Sequence, residues 1–152
     1  MRALYIGSFD PFTIGHYEVL KQAEELFDEV HVYVSHNESK KRRFNVIDCA
    51  YAIKQIDNLK DSTKNNVGES DILTTDLAKE LGCEYLIRGL RNTSDYLYEE
   101  QLYQMYKELN PNLKVVYFRA NNNISSTFVY ELYKRGLLID KYLPYDSHLL
   151  RV

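Results

Sequence analysis

The chain has 152 residues, 45% of them hydrophobic and 27% charged, with a formal net charge of −3. That length builds a core without disulfide or metal staples, and the composition excludes disordered and fibrous classes. The acidic balance argues against general nucleic-acid binding, so any anionic ligand must be caught by a local cluster of positive groups.

Ala3-Leu4-Tyr5-Ile6 is an apolar run ending at Gly7, the pattern of a buried parallel strand, and Gly7 to Pro11 is a turn. Tyr17, Leu20, Ala23 and Phe27 recur at three- and four-residue spacing and predict an amphipathic helix. Val30 to Val34 is a second strand, and residues 35–44 form a polar, basic loop. Asn45, with Asp48 three residues on, predicts a capped helix running to about Ile56. Residues 57–70 are polar and turn-rich, with a short strand at Val67. Asp71 to Leu81 reads as a helix stopped by Gly82. Tyr85 to Ile87 is a strand, Arg88 to Arg91 the turn after it, and a long helix follows that ends before Pro111. In it Tyr96, Tyr98, Tyr103 and Tyr106 sit at helical spacings and read mostly as packing. Val115 to Phe118 is another strand, then comes an Asn-rich loop, then a helix from about Ser126 to Lys134 closed by Gly136. A short amphipathic piece lies beyond Pro144.

Strand and helix alternate throughout, which predicts an α/β fold in which a parallel sheet carries helices on both faces, one domain over residues 1–152. Ligands of such sheets bind beyond the carboxyl ends of the strands. Cys49 and Cys83 are too few for a disulfide scaffold and have no metal-ligand spacing around them, so free core thiols are expected. No apolar run has the length of a membrane span, and the first residues carry no signal-peptide pattern, so a cytoplasmic enzyme is the expectation.

Four constellations carry chemistry. Gly7-Ser8-Phe9-Asp10-Pro11-Phe12-Thr13-Ile14-Gly15-His16 joins a strand to a helix whose first turn holds glycine and histidine. Open amides and the helix dipole favour phosphate there, and His16 can donate from Nε2; a lone Gly-His pair would more simply be a tight turn with a packed histidine. Arg88-Gly89-Leu90-Arg91 leaves a strand end, followed by Asp95, Tyr98 and Glu99. Two arginines so placed can grip phosphates bidentately, whereas surface arginines are ordinarily just solvated. Glu99 either accepts bonds from a ribose or adenine or pairs with Arg91. Asn123-Ile124-Ser125-Ser126-Thr127 opens a helix with hydroxyls that serve as N-caps, as binders of a β- or γ-phosphate, or both. Lys40-Lys41-Arg42-Arg43 follows the second strand; one lysine could reach a reacting phosphate while most of the four charges face water.

With Thr13-Ile14-Gly15-His16 in place, the chain resembles the nucleotidyltransferase superfamily that carries the T/HxGH signature. Within it the chain is most similar to the bacterial phosphopantetheine adenylyltransferases. The Gly7–His16 block, Ser39-Lys40-Lys41, the Arg88–Arg91 block with Asp95, Tyr98 and Glu99, and Ile124 to Thr127 match in order over nearly the whole chain. The Arg88–Arg91 block is the more specific, because the Gly-His motif belongs to the whole superfamily.

The resemblance implies a Rossmann-like nucleotidyltransferase fold and transfer of AMP from Mg-ATP to 4′-phosphopantetheine, giving dephospho-coenzyme A and pyrophosphate. It implies that His16, Lys40 and Arg91 serve catalysis. Ser8, Lys40, Thr74 and Arg88 would hold the acceptor. Ser8, Phe9, His16, Gly89, Leu90, Arg91, Glu99, Asn122, Asn123, Ile124, Ser125, Ser126 and Thr127 would bind ATP. Mg²⁺ would ride on the nucleotide, with no metal cage in the chain. The family is usually a homohexamer and is often inhibited by coenzyme A. Three departures mark this chain. Asp48-Cys49 stands where the family usually has Glu-Arg, which predicts a missing structural ion pair, and Arg42-Arg43 replaces a proline-containing sequence. The loop between Tyr117 and Ile124 is a few residues short and lacks an aromatic before Ile124. Related enzymes acting on nicotinamide or nicotinate mononucleotide, cytidylyltransferases, and a catalytically silent nucleotide-binding protein are the competing readings.

Overall fold

A computed structural model describes residues 1–36, 41–60, 62 and 65–152. Five parallel strands, β1 (Arg2–Gly7), β2 (Glu29–Ser35), β3 (Val67–Ser70), β4 (Tyr85–Leu90) and β5 (Lys114–Arg119), form one sheet in the order β3-β2-β1-β4-β5. The helices are α1 (Ile14–Leu26), α2 (Val46–Lys54), α3 (Asp57–Lys60), α4 (Thr74–Glu80), α5 (Thr93–Leu109) and α6 (Ser126–Lys134). The chain steps outward from β1 to β2 and β3, then returns to the other side of β1 for β4. The reversal falls between β1 and β4, so their carboxyl ends flank the crevice where such sheets bind ligands.

The side-chain period of two explains the layers. Ala3 and Tyr5 of β1 join one core cluster with Val19, Leu20 and Ala23 of α1, Ile53 of α2 and Val129 of α6. Leu4 and Ile6 point the other way, to Leu77 and Ala78 of α4 and Tyr106 of α5. Both faces of β1 are therefore covered, which is why its run is apolar rather than alternating. Leu4, Leu20, Ile53 and Leu86 are fully buried, and each such side chain contributes about 1.5–3 kcal/mol. Helices α4 and α6 end alike. Gly82 and Gly136 take positive φ, and the amides of Cys83 and Leu137 reach back to Ala78 O and Leu132 O. That is the Schellman arrangement the glycines predict.

After α6 the chain makes two 3₁₀ turns, Asp140–Tyr142 and Ser147–Leu149, the second being the piece expected beyond Pro144. This tail runs beneath the β1–α1 turn: buried Tyr145 donates its hydroxyl to Phe12 O at 2.9 Å, and Asn45 N donates to Arg151 O at 2.7 Å.

Several sequence expectations need correction. Strand β4 continues through Arg88, Gly89 and Leu90, because they pair in register with Tyr117, Phe118 and Arg119 of β5; the turn begins only at Arg91. Helix α4 starts at Thr74 rather than Asp71, since Ser70 still pairs with Ser35 and the chain needs three residues to leave the sheet. The turn-rich stretch holds a helical turn, α3. Asn45 caps α2, its Oδ1 accepting from Ile47 N and Asp48 N, but Asp48 does not close a capping box, because its carboxylate faces Arg151 at 2.9 and 3.0 Å. Of the tyrosines on α5, only Tyr106 is core; Tyr96 and Tyr98 are 52% and 54% exposed. Cys49 and Cys83 are free and buried, as expected. No helix among the described residues is long and apolar enough to cross a membrane.

Candidate active site

The β1–α1 turn is built on aromatic packing. Buried Phe9 and Phe12 meet edge-to-face at 4.9 Å. Phe9 takes φ +40°, a left-handed conformation uncommon for a bulky residue, and a cis bond joins Asp10 to Pro11. The turn delivers His16 to the third position of α1, where its Nδ1 accepts from Thr13 N at 2.9 Å. An accepting Nδ1 places the imidazole proton on Nε2, the donor the sequence reading requires. Burial first, and then the Arg91 and Arg88 charges, lower the His16 pKa to about 4, so the ring is neutral near pH 7. Gly15 beside it leaves room for Asn122, whose Oδ1 would lie 2.9 Å from a Cβ there and would have to shift.

Arg88 emerges from β4 under strong constraint. Its Nε and Nη2 both donate to Glu99 Oε1, at 2.9 and 2.8 Å, and Nη1 donates to Ile6 O at 3.0 Å. Glu99 thus pairs with Arg88, not Arg91. Its other oxygen, Oε2, is buried without a partner among the described residues. Arg91 pairs instead with Asp95, through Nε at 3.1 Å and Nη2 at 3.3 Å. Burial alone would raise the Asp95 pKa, but the Arg91 hydrogen bonds outweigh it and leave the carboxyl low. Both guanidiniums are held in fixed planes while keeping N–H groups for a ligand.

The basic loop behaves differently from expectation. Ser39 and Lys40 lie outside the described residues, and Lys41 is exposed. Arg42 does not face water; its side chain is 13% exposed. Nη1 donates to Ser8 O at 2.8 Å and Ser35 O at 3.3 Å, and Nε donates to Phe44 O at 3.2 Å. Nη2 lies 3.4 Å from Cys49 Sγ and 3.5 Å from Asp10 Oδ1. Arg42 therefore ties the ends of β1 and β2 to the loop between β2 and α2. The ion pair expected to be lost at Asp48-Cys49 is replaced twice: Arg42 meets Asp10, and Arg151 meets Asp48. Burial pushes the Cys49 thiol up to about 11, with Arg42 opposing. Arg43 also turns inward, donating from Nη2 to Thr127 Oγ1 at 2.7 Å and from Nη1 to Asp10 O at 3.3 Å.

At the start of α6, Ser125 is the cap, its Oγ accepting from Phe128 N at 3.0 Å, while Ser126 Oγ donates to Pro11 O at 2.8 Å. The short loop before it is held by Glu18 of α1. Glu18 Oε1 accepts from Asn121 N at 3.0 Å and Oε2 from Asn122 Nδ2 at 2.9 Å.

These groups surround one cleft of about 580 Å³, within the size range of ligand pockets. Ser8, Phe9, His16, Thr74, Arg88, Gly89, Arg91 and Glu99 line it, as do Ile124, Ser125, Ser126 and Thr127. Leu90, Asn122 and Asn123 are not on its wall: Leu90 stays in the ladder and Asn122 is bound to Glu18. An apolar wall of Leu73, Leu102, Met105 and Leu109 was not singled out in the sequence, where it reads as helix packing. Arg42, Arg43 and Glu18 were missed as well. Asp10 gave the available signal for the arginines, since a buried acid in a turn must find a cation or amides.

The cytidylyltransferase-like family matches residues 4–132. A phosphopantetheine adenylyltransferase of Limosilactobacillus reuteri (strain DSM 20016) is 37% identical over 145 residues, covering 93% of this chain and 83% of that protein. One of Mycoplasma capricolum is 41% identical over 134 residues, covering 86% and 94%. A bifunctional NMN adenylyltransferase/ADP ribose pyrophosphatase from Francisella tularensis superposes with a TM-score of 0.71 at 12% identity, over 98% of this chain and 46% of that one, and so shares the fold. With the Gly7–His16 turn, the Arg88–Arg91 strand end and the Ser125–Thr127 helix start gathered on one cleft, the chain belongs to the phosphopantetheine adenylyltransferases of the cytidylyltransferase-like family.

Proposed function

We propose that this chain transfers AMP from Mg-ATP to 4′-phosphopantetheine, yielding dephospho-coenzyme A and pyrophosphate. An oxygen of the acceptor phosphate attacks the α-phosphorus. The bond from that phosphorus to the α–β bridging oxygen breaks, and its electron pair leaves with pyrophosphate. The acceptor phosphate is ionised at neutral pH, so no general base is needed; alignment and charge stabilisation are the protein's tasks. The observation that carries this reading is the convergence of His16, Arg88, Arg91 and Ser126 from three strand-to-helix junctions on one cleft.

In this reading His16 Nε2 donates to the α-phosphate as charge grows there, its ring held by Thr13 N. Ser8, Thr74, Arg88 and Lys40 hold the acceptor. Gly89, Arg91, Glu99 and the start of α6 hold ATP, with Glu99 Oε2 free to accept from a ligand N–H or O–H. Mg²⁺ enters as part of the substrate. Asp10 spends its oxygens on Arg43 N and Phe44 N, at 2.8 and 2.9 Å, so the ion draws on phosphates and water. The reading extends to one catalytic domain per chain, a homohexamer, a cytoplasmic location and inhibition by coenzyme A. Pyrophosphate release from ATP tests it, with 4′-phosphopantetheine and nicotinamide mononucleotide offered separately. Release with the first alone is expected; release only with the second would overturn the assignment.

A further inference from the structure

Four arginines line the cleft: Arg42, Arg43, Arg88 and Arg91. Three of them are neutralised within the protein. Arg42 lies against Asp10, Arg88 against Glu99 and Arg91 against Asp95. Arg43 meets no carboxylate within salt-bridge distance among the described residues. Among the described residues its side chain donates to neutral acceptors alone, the Thr127 hydroxyl at 2.7 Å and the Asp10 carbonyl at 3.3 Å. The Glu131 carboxylate feels the Arg43 charge only from beyond salt-bridge distance, and a part-buried guanidinium with no carboxylate paired to it gains from an arriving anion.

The guanidinium is also aimed. Its carbon lies 5.5 Å from the centre of the Tyr130 ring, which sets the plane of the fork. Its backbone amide is pinned by Asp10 Oδ2 at 2.8 Å, so the side chain leaves a fixed base. Nη2 donates to Thr127, the second residue of α6 and like Arg43 a lining residue of the cleft, where the early helix amides have no partners within the helix. Nε has no protein acceptor among the described residues.

We propose that Arg43 contacts the substrate, binding the β- and γ-phosphates of ATP together with the start of α6 and stabilising pyrophosphate as it departs. This rests on the adenylyltransferase reading for the place of ATP, but not on the identity of the acceptor. The Thr127 contact distinguishes Arg43 from Arg88 and Arg91, whose side chains are fixed on the β4 side of the crevice. Negative charge accumulates on the pyrophosphate as the α–β bond breaks, so the cleft arginine with no paired carboxylate among the described residues stands at the leaving-group end.

The test is equilibrium binding of ATP, inorganic pyrophosphate and AMP to the full chain and to Arg43→Ala, by titration calorimetry without any acceptor. Loss of a bidentate charged contact weakens ATP and pyrophosphate by about tenfold or more. AMP, which lacks both phosphates, keeps its affinity. Arg43→Lys keeps the charge without the fork and falls between. If Arg43 merely braces the turn, AMP and ATP weaken by the same factor, and that result overturns the proposal. So does unchanged binding of all three. Should Arg43→Ala fail to fold, the ATP-to-AMP ratio in Arg43→Lys decides in the same way. Because no turnover is measured, a wrong acceptor assignment would show in the pyrophosphate-release assay while leaving this comparison intact.

Discussion

Replacing Arg42 by methionine removes a guanidinium that holds three carbonyls and one carboxylate while keeping most of the aliphatic volume. The contacts at 2.8 and 3.2 Å are charge-assisted; those at 3.3 and 3.5 Å count for less. Asp10 keeps its two backbone amides, so its charge is not abandoned. The two shorter bonds, at about 1.5–3 kcal/mol each for a charged donor, set the loss at about 3–5 kcal/mol. For a domain of this size that lowers Tm by roughly 10 °C. Position 49 offers a sharper check. Cys49 Sγ points at Arg42 Nη2 across 3.4 Å, and an arginine side chain at 49 extends four bonds past the γ position to its Nη atoms. Cys49→Arg alone must crowd the existing guanidinium and is destabilising. Combined with Arg42→Met it fills the vacated space and restores most of the lost stability, a strongly non-additive double-mutant cycle. Thermal melts of the wild type, both single variants and the double variant measure this directly. Strict additivity, or an Arg42→Met protein melting within about 2 °C of wild type, refutes the strut.

His16→Gln lowers kcat for pyrophosphate release by about a hundredfold or more, the scale for a lost transition-state donor, with KM for ATP little changed. The same variant changes the pH dependence of stability. His16 titrates near 4 folded and near 6.5 unfolded, so the unfolded chain binds more protons between those values. Stability is full above pH 6.5 and falls as pH drops toward 4, by up to about 3 kcal/mol; denaturant melts of His16→Gln lack that component. Glu18→Ala releases Asn121 N and Asn122 Nδ2 and raises KM for ATP by about tenfold, as one charged hydrogen-bond pair implies. KM for 4′-phosphopantetheine stays put; equal rises in both would refute Glu18 as a clamp on the ATP side alone. Phe12→Ala opens a void under the turn, because Phe12 is fully buried, and costs about 3–5 kcal/mol in urea melts.

The parallel sheet was legible because Ala3–Ile6 and Tyr85–Ile87 lack any polar alternation, and only doubly covered strands can be so apolar. The termination of α4 and α6 was legible because Gly82 and Gly136 announce a left-handed residue. The end of β4 was not, since Arg88 looks like a turn residue until its pairing with Tyr117 is known. At the site, His16, Arg88 and Arg91 could be picked out because the turn and the strand end identify them locally. Their partners could not. Glu99 reaches Arg88 across 11 positions, Arg42 reaches Ser8 across 34 and Arg43 reaches Thr127 across 84. Such pairings depend on helix placement, which local spacing does not encode. Most of the basic run reads as solvated charge, because nothing in Lys40-Lys41-Arg42-Arg43 itself shows that Asp10 meets Arg42 and Arg43.

The bond from the Tyr145 hydroxyl to Phe12 O joins groups 133 positions apart. The turn that follows the first strand and lines the cleft is braced by residues that follow the last helix. A chain cut after α6 would keep all five strands but lose the prop under Phe12 and the fastening of Asn45 to Arg151. The shape of the cleft floor therefore depends on residues outside the sheet and its covering helices as much as on the strands themselves.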